Sequence, residues 1–273
     1  MHSAAYGAKT HQLLQTVPLA LALAVVVAAF AVEVDKSFLT STVHIRPVAI
    51  SKALRPTALP VAAPPQLTIG VSAHDYTIPP VENGTVPVIT RIPTKEKVAF
   101  LTIDDGIVTS PSDAQLMQAA GVKATFFLVY RFINTDYSFF SNLAVRTGSD
   151  IENHTYDHYL LTGLNYDQQK VDICKNADTF NTWFGRRPSL LRPSGGAYNV
   201  TTLHAAADCG VTALIMWDAS INNGVIKYQN GTKMQPGDIV LMHFRSTFEE
   251  DLNAFVQAAR SSGLQPDLLV NWL

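Results

Sequence analysis

Two carboxylates, Asp104 and Asp105, close the apolar run "VAFLTIDDG" at 98–106. Side by side they repel, and each raises the other's pKa unless a cation lies close. Two readings account for them: an Asx turn beside Gly106 that caps the next helix, or a metal ion shared at the site. The stretch "IENHTYDH" adds His154 and His158, four residues apart. That spacing puts both rings on one side of a helical turn, within reach of one ion; two surface imidazoles are the plainer alternative. "LLRPSGG" sets Arg192 at the end of another apolar run, "IMWDAS" gives Trp217 and Asp218, and "IVLMHF" delivers His243 directly after apolar residues. A lone histidine in that position is more often a satisfied core residue than a functional one.

The elements that would carry these residues alternate. "KVAFLTI", "KATFFLVY", "SLLRP", "TALIMWD" and "DIVLMHF" have the texture of buried strands. Between them lie helix patterns: "SPSDAQLMQAAG" stopped by Gly121, "YSFFSNLAVRTG", the long "NYDQQKVDICKNADTFNTWFG", 200–207, and "FEEDLNAFVQAARSSG". On the long helix, Val171, Cys174, Ala177 and Phe180 or Trp183 are expected to share the buried face. Such alternation predicts an α/β fold, a parallel sheet with crossover helices, open or closed as a barrel. Reactive side chains in these folds gather in the loops after the C-terminal ends of strands, and every candidate above falls at such a junction.

Bulk properties narrow the function classes. The chain has 273 residues, 47% apolar, with a net charge of −2. Lys and Arg form no cluster able to neutralise a phosphate backbone, so nucleic acid is excluded as a partner. Residues 17–32, "VPLALALAVVVAAFAV", carry no charge, and "AFA" has the small-x-small pattern of a signal-peptidase site. Residues 1–32 are therefore expected to be a signal peptide or signal anchor, placing the remainder outside the cytoplasm, secreted or held to the membrane by this segment. Residues 33–93 are rich in proline and are expected to form an extracytoplasmic spacer, of which "LTIGVS" or "VPVIT" could add a short strand to the domain at 94–273. Cys174 and Cys209 suit an exported chain, either bridged or as free thiols; two cysteines exclude a thiolate zinc cage.

The series "TIDDG", "HTYDH", "LRPSGGAYN", "IMWDAS" and "IVLMH", with "GVKATFFL", resembles the polysaccharide deacetylase family, carbohydrate esterase family 4 with its NodB-homology domain. The resemblance runs from about Lys95 to Leu273 and implies a distorted (β/α) barrel. It implies a divalent metal, usually zinc with cobalt, manganese or nickel as alternatives, held by Asp105, His154 and His158. Asp104 would be the general base that takes a proton from the attacking water, with Arg192 holding it in place. His243 would be the general acid for the departing amine. The Gly195 N–H would stabilise the oxyanion, and Trp217 and Leu241 would wall the acetyl pocket. Strand alternation suggests that Asp105 grips the cation while Asp104 faces the opposite way, toward water. Adjacent carboxylates are poorly placed for glycoside hydrolysis, which needs them to flank a bond, roughly 5 to 9.5 Å apart.

Several positions depart from the family pattern. Ile103 and Ile107 replace an aromatic and a proline, and Ser194 and Gly195 stand where proline and an aromatic ring are common. Ser220 occupies the place of a carboxylate that tunes the catalytic histidine; Asp218 is the candidate substitute. The expected activity is removal of acetyl groups from an N-acetylglucosamine polymer, peptidoglycan or chitin-like, by a monomer. O-acetyl ester hydrolysis and a low-turnover glycan-binding protein of the same fold are the alternatives. His204, His44 and His74 are expected to be structural or solvated. Sequons occur at Asn83, Asn153, Asn199 and Asn230; a glycan on Asn153 would block His154, which favours a source that does not glycosylate sequons.

Overall fold

The computed structural model describes residues 74–273. The expected signal segment, His44, "LTIGVS" and the spacer through residue 73 lie outside the described residues. Ten strands are present: β1 (Val88–Ile89), β2 (Val98–Asp105), β3 (Thr125–Leu128), β4 (Asp150–Asn153), β5 (Leu190–Leu191), β6 (Ala213–Ile215), β7 (Ala219–Asn222), β8 (Val225–Tyr228), β9 (Ile239–His243) and β10 (Gln265–Asp267). Six helices join them: α1 (Asp113–Ala120), α2 (Tyr130–Ile133), α3 (Tyr137–Thr147), α4 (Tyr166–Phe184), α5 (Val200–Asp208) and α6 (Phe248–Ser261).

The strands form one sheet in the order β1-β6-β5-β4-β3-β2-β9-β7-β8, with β10 on β2. Every pairing is parallel except the β7–β8 hairpin. Three residues carry the chain from β6 into β7, and across this crossing Met216 N–H donates to Ile89 O while Asp218 N–H donates to Ile239 O. The sheet thereby curls into a distorted barrel, as the alternation of elements predicts. β1 lies in the stretch expected to be spacer, and Val86 and Ile92 are buried, so the compact body extends upstream of residue 94.

β2 explains how the barrel builds a site. Ala99, Leu101 and Ile103 face outward into a core with Met117, Phe140 and Phe255 from α1, α3 and α6. Phe100 faces inward with Phe127, Ile215 and Ile239. By the same alternation Thr102 and Asp104 point inside. The helix ends follow from sequence: Asn165 and Gln168 make a capping box at the start of α4, as do Asn199 and Thr202 on α5.

α4 keeps Ala177 and Phe180 of the expected face inside but not Val171. Val171 is 62% exposed, whereas Gln169, Asp172, Ile173, Asn176, Ala177 and Phe180 are buried. The inward stripe is part polar because it holds loops by hydrogen bonds, which a hydrophobic pattern does not register. Cys174 and Cys209 form a disulfide joining α4 to the end of α5, with Cα atoms 5.0 Å apart.

Candidate active site

Arg192 follows β5 and lies fully buried inside the barrel. Its Nη1 donates to Thr102 Oγ1 and Asp104 Oδ1, both at 2.7 Å; Nε and Nη2 donate to the carbonyls of Ile215 and Met216. Thr102 and Asp104 are two residues apart on the inward face, so one guanidinium serves both. Burial pulls the Arg192 pKa down, and the Asp104 carboxylate works against that. A buried cation is tolerable when paired and well hydrogen-bonded, and this one makes four hydrogen bonds, one of them to a carboxylate.

Asp105 corrects the expectation of opposite-facing carboxylates. Its φ is +77°, so the strand alternation breaks at its last residue and the side chain swings back into the cavity that Asp104 faces. The next residue, Gly106, has φ +92°, and a Cβ there would sit 2.5 Å from Ile133 Cγ2. Aspartate tolerates this backbone region at a cost, and such strain gathers at functional sites.

The two histidines arrive differently from the helical turn their spacing suggests. His154 follows β4 directly, and Thr155 and His158 have φ of +71° and +61°. The loop folds back instead of winding into a helix. Its turns are fixed by side chains: Thr155 N–H donates to Asn153 Oδ1 at 2.8 Å, and His158 N–H to Thr155 Oγ1 at 3.2 Å. From α4, Asp172 accepts the N–H groups of Tyr156 and Asp157, and Asn176 donates to Asn153 Oδ1. Tyr156 is packed between Tyr130, 3.9 Å away ring to ring, and Lys175 Nζ, 3.8 Å from the ring centre.

The result is a three-residue donor set. Asp105, His154 and His158 each offer one ligand atom, all within 4.8 Å of one another. His154 Nδ1 donates to Arg192 O at 2.7 Å, which leaves Nε2 unprotonated and turned to the cavity, 3.6 Å from Asp105 Oδ1. His158 Nε2 stands 3.3 Å from the same oxygen. That Asp105 oxygen is buried and accepts no hydrogen bond. An orphaned buried carboxylate oxygen beside two imidazole nitrogens suits a divalent cation such as zinc, with positions left for water and substrate. Burial alone would raise the Asp105 pKa; His158, His154 and His243 outweigh it and hold the carboxyl below its usual value. Burial lowers the His154 pKa.

The same cavity, about 240 Å³, is lined by Asp104, Gly195, Trp217, Leu241 and His243 together with the donor set. Gly195 sits in a 3₁₀ turn, Ser194–Gly196, and among the described residues its N–H donates to no protein acceptor. Gly196 is fixed by Trp217, whose ring a Cβ would approach to 2.8 Å. His243 ends β9 opposite Asp104; burial lowers its pKa, against the pull of Asp104 and Asp105. All nine expected site residues therefore border or underlie one cavity.

Asp218 is not among them. It accepts a hydrogen bond from Asn230 Nδ2 and lies 3.9 Å from Arg91 Nε, and among the described residues no carboxylate is hydrogen-bonded to the His243 ring. Its neighbour Trp217 faces the cavity, and alternation turns Asp218 away. His204 is structural as expected, its Nδ1 bonded to Gly84 O. His74 is not simply solvated: it stacks on Trp272. Asn153 is buried and its Nδ2 donates to Ile173 O, so its sequon is closed to a glycan in the folded domain and says nothing about the source. Three contributors escaped sequence reasoning. Asp172 and Asn176 were hidden by the apolar reading of α4, and Arg245, which also lines the cavity, was signalled only by lying two residues beyond His243.

The family model described as polysaccharide deacetylase matches residues 91–214. This stretch is similar to the polysaccharide deacetylase family. An uncharacterized protein of Streptomyces coelicolor is 38% identical over 156 residues, covering 56% of this chain and 62% of that protein. The chain thus spans less than two thirds of that relative. A peptidoglycan-N-acetylglucosamine deacetylase of Bacillus cereus is 29% identical, covering 56% of this chain and 75% of that one. Among solved structures, a peptidoglycan N-acetylglucosamine deacetylase shares the deacetylase fold at TM-score 0.58 and 22% identity, over 67% of this chain and 91% of its own. A family 4 carbohydrate esterase pseudoenzyme from Bacillus anthracis matches at TM-score 0.57 and 22% identity, over 67% of this chain and 68% of its own.

Proposed function

We propose that this domain is a metal-dependent hydrolase that removes acetyl groups from an N-acetylglucosamine-containing polysaccharide, peptidoglycan or chitin-like. The single observation that carries the reading is the orphaned Asp105 oxygen beside two imidazole nitrogens, with Asp104 and His243 on the same cavity. A binding protein has no need of a general base and a general acid around a metal site.

Asp105, His154 and His158 would hold the ion, zinc by preference. A divalent metal bound there supplies Lewis acidity, activating water and polarising the acetyl carbonyl. Asp104, kept in place by Arg192, accepts the proton of the attacking water. As the carbonyl carbon becomes tetrahedral, the Gly195 N–H donates to its oxyanion. Trp217 and Leu241 enclose the methyl group. His243 gives a proton to the nitrogen as the C–N bond breaks, and acetate and a free amine leave.

The absence of a carboxylate on His243 favours one second reading, a low-turnover member that binds glycan. Acetyl esters, whose alkoxide leaving group also needs an acid, are the close variant of the substrate. The disulfide supports an exported chain; secretion or anchoring through 1–32, a monomeric state and a proline-rich spacer upstream of the catalytic body complete the proposal. The test is acetate release from chitooligosaccharides and purified wall polymer, with and without chelator. Chelator and Asp104→Asn should each lower release by about 10² to 10⁴-fold. Release indifferent to both would contradict the reading, and metal binding without release from any acetylated glycan would favour the binder.

A further inference from the structure

Arg245 has no part in the chemistry above, yet it borders the same cavity as Asp105, His158, Trp217 and His243. We propose that Arg245 docks a carboxylate on the substrate, so that the polymer preferred is an acetamido glycan bearing acidic substituents. This rests on the deacetylase reading and adds the substrate's charge to it.

Arg91, Arg186, Arg187 and Arg192 each have a carboxylate within 4.0 Å. Arg131, Arg146, Arg245 and Arg260 have none among the described residues, and of these Arg245 alone borders the cavity. Arg245 Nη1 instead donates to Asn222 Oδ1 at 3.0 Å, a neutral partner that orients the guanidinium and leaves its charge unspent. Asn222 is itself firmly placed. It pairs with Val225 across the β7–β8 hairpin, whose two-residue Asn223–Gly224 turn has φ of +51° and +70°, the left-handed pair that matches strand twist. Gly224 N–H donates to Asp251 Oδ1 of α6 at 2.7 Å. The planar fork thus stands pre-oriented at the rim, the arrangement that favours two parallel hydrogen bonds to a carboxylate.

Position fits a neighbouring substituent rather than the acetyl group. Arg245 is exposed and lies two residues past His243, on the side where the departing nitrogen and its sugar must lie. Gly195 brings no ring for stacking on that sugar, so a polar contact takes a larger share of recognition. The whole chain carries −2, so bulk attraction does not draw it to a polyanion; the preference has to be local.

The test compares two soluble acetylated polymers, neutral glycol chitin and carboxymethyl chitin, by acetate release and by retardation of the protein in gels containing each. At low salt the wild type should favour carboxymethyl chitin in kcat/KM by about tenfold, the size of one charge-assisted contact, narrowing as salt rises. Arg245→Gln should bring the ratio near one through a raised KM, Arg245→Lys should keep part of it, and Arg260→Gln, a remote surface change, should keep all of it. A wild type without preference, or a preference that survives in Arg245→Gln, overturns the proposal. If neither polymer loses acetate, the deacetylase reading fails. Gel retardation then decides this inference alone: carboxymethyl chitin must slow the wild type more than Arg245→Gln, and equal mobility overturns it.

Discussion

At the scale of single residues, the site works because charges that would be costly alone are placed against one another. Arg192 sits beneath Asp104 with its other N–H groups on Thr102 and backbone carbonyls. Its stem and plane pack over Phe127. Removing one member of such a pair strands the other in a low-dielectric interior. Arg192→Met should therefore cost about 3 to 5 kcal/mol, read as the urea midpoint in chelator. A loss below about 1 kcal/mol would mean Asp104 is not held as the structure places it. Much of this set was legible beforehand, because each residue ends an apolar run. Sequence could not show that Asp105 leaves the strand pattern. A positive φ in a non-glycine residue depends on what surrounds it, here Gly106 and the close approach of Ile133.

At the scale of elements, α4 is the template for the donor loop. Asp172 takes the N–H groups of Tyr156 and Asp157 between the two histidines; its own carboxyl is raised by burial, with those N–H groups opposing. Asp172→Ala should weaken zinc binding about 10 to 100-fold by calorimetry while far-UV circular dichroism stays native. Unchanged affinity would show that the loop holds its strained turns without help. The disulfide pins α4 to α5 across a separation of 35 residues, and replacing both cysteines by serine should cost about 3 to 4 kcal/mol of unfolding free energy, against near-zero if the packing alone suffices. Periodicity revealed α4 as a helix and placed Ala177 and Phe180 inside, but it also put exposed Val171 there and missed Gln169, Asp172 and Asn176, which are buried for their hydrogen bonds. The β7–β8 hairpin was also legible in principle: Asn223–Gly224 between Ile221 and Val225 is a strong turn signal, masked by a search for βα alternation. The short β5 was legible in "SLLRP", whereas β10 carries no such mark and its partner β2 defines it.

At the scale of the whole molecule, the two ends of the barrel differ in what they hold. His74, where the described chain begins, stacks on Trp272 and lies 3.4 Å from Glu96, just before β2. Asp104 and Asp105 end that strand, roughly 20 Å away along its length. The described chain therefore begins at the end of the barrel remote from the cavity. That remote end also holds Asp238, whose pKa burial raises to about 6, against the Gln235 N–H and Arg91 and with the aid of Asp218. The folded state thus binds its proton more tightly than the unfolded chain does. Its contribution is fully present below the ordinary carboxylate value and is lost as pH rises through about 6. Asp238→Asn should flatten the fall in stability from pH 4 to 6, measured by urea unfolding at each pH. An identical slope in both proteins would place the proton elsewhere.

The proposed activity requires one divalent cation shared by Asp105, His154 and His158, and metal analysis of the purified protein addresses it directly. After loading with zinc and removal of excess ion, the protein should retain about one equivalent, and His154→Ala should retain almost none while remaining folded. A folded wild type that keeps no metal, or a His154→Ala variant that keeps as much, would contradict it.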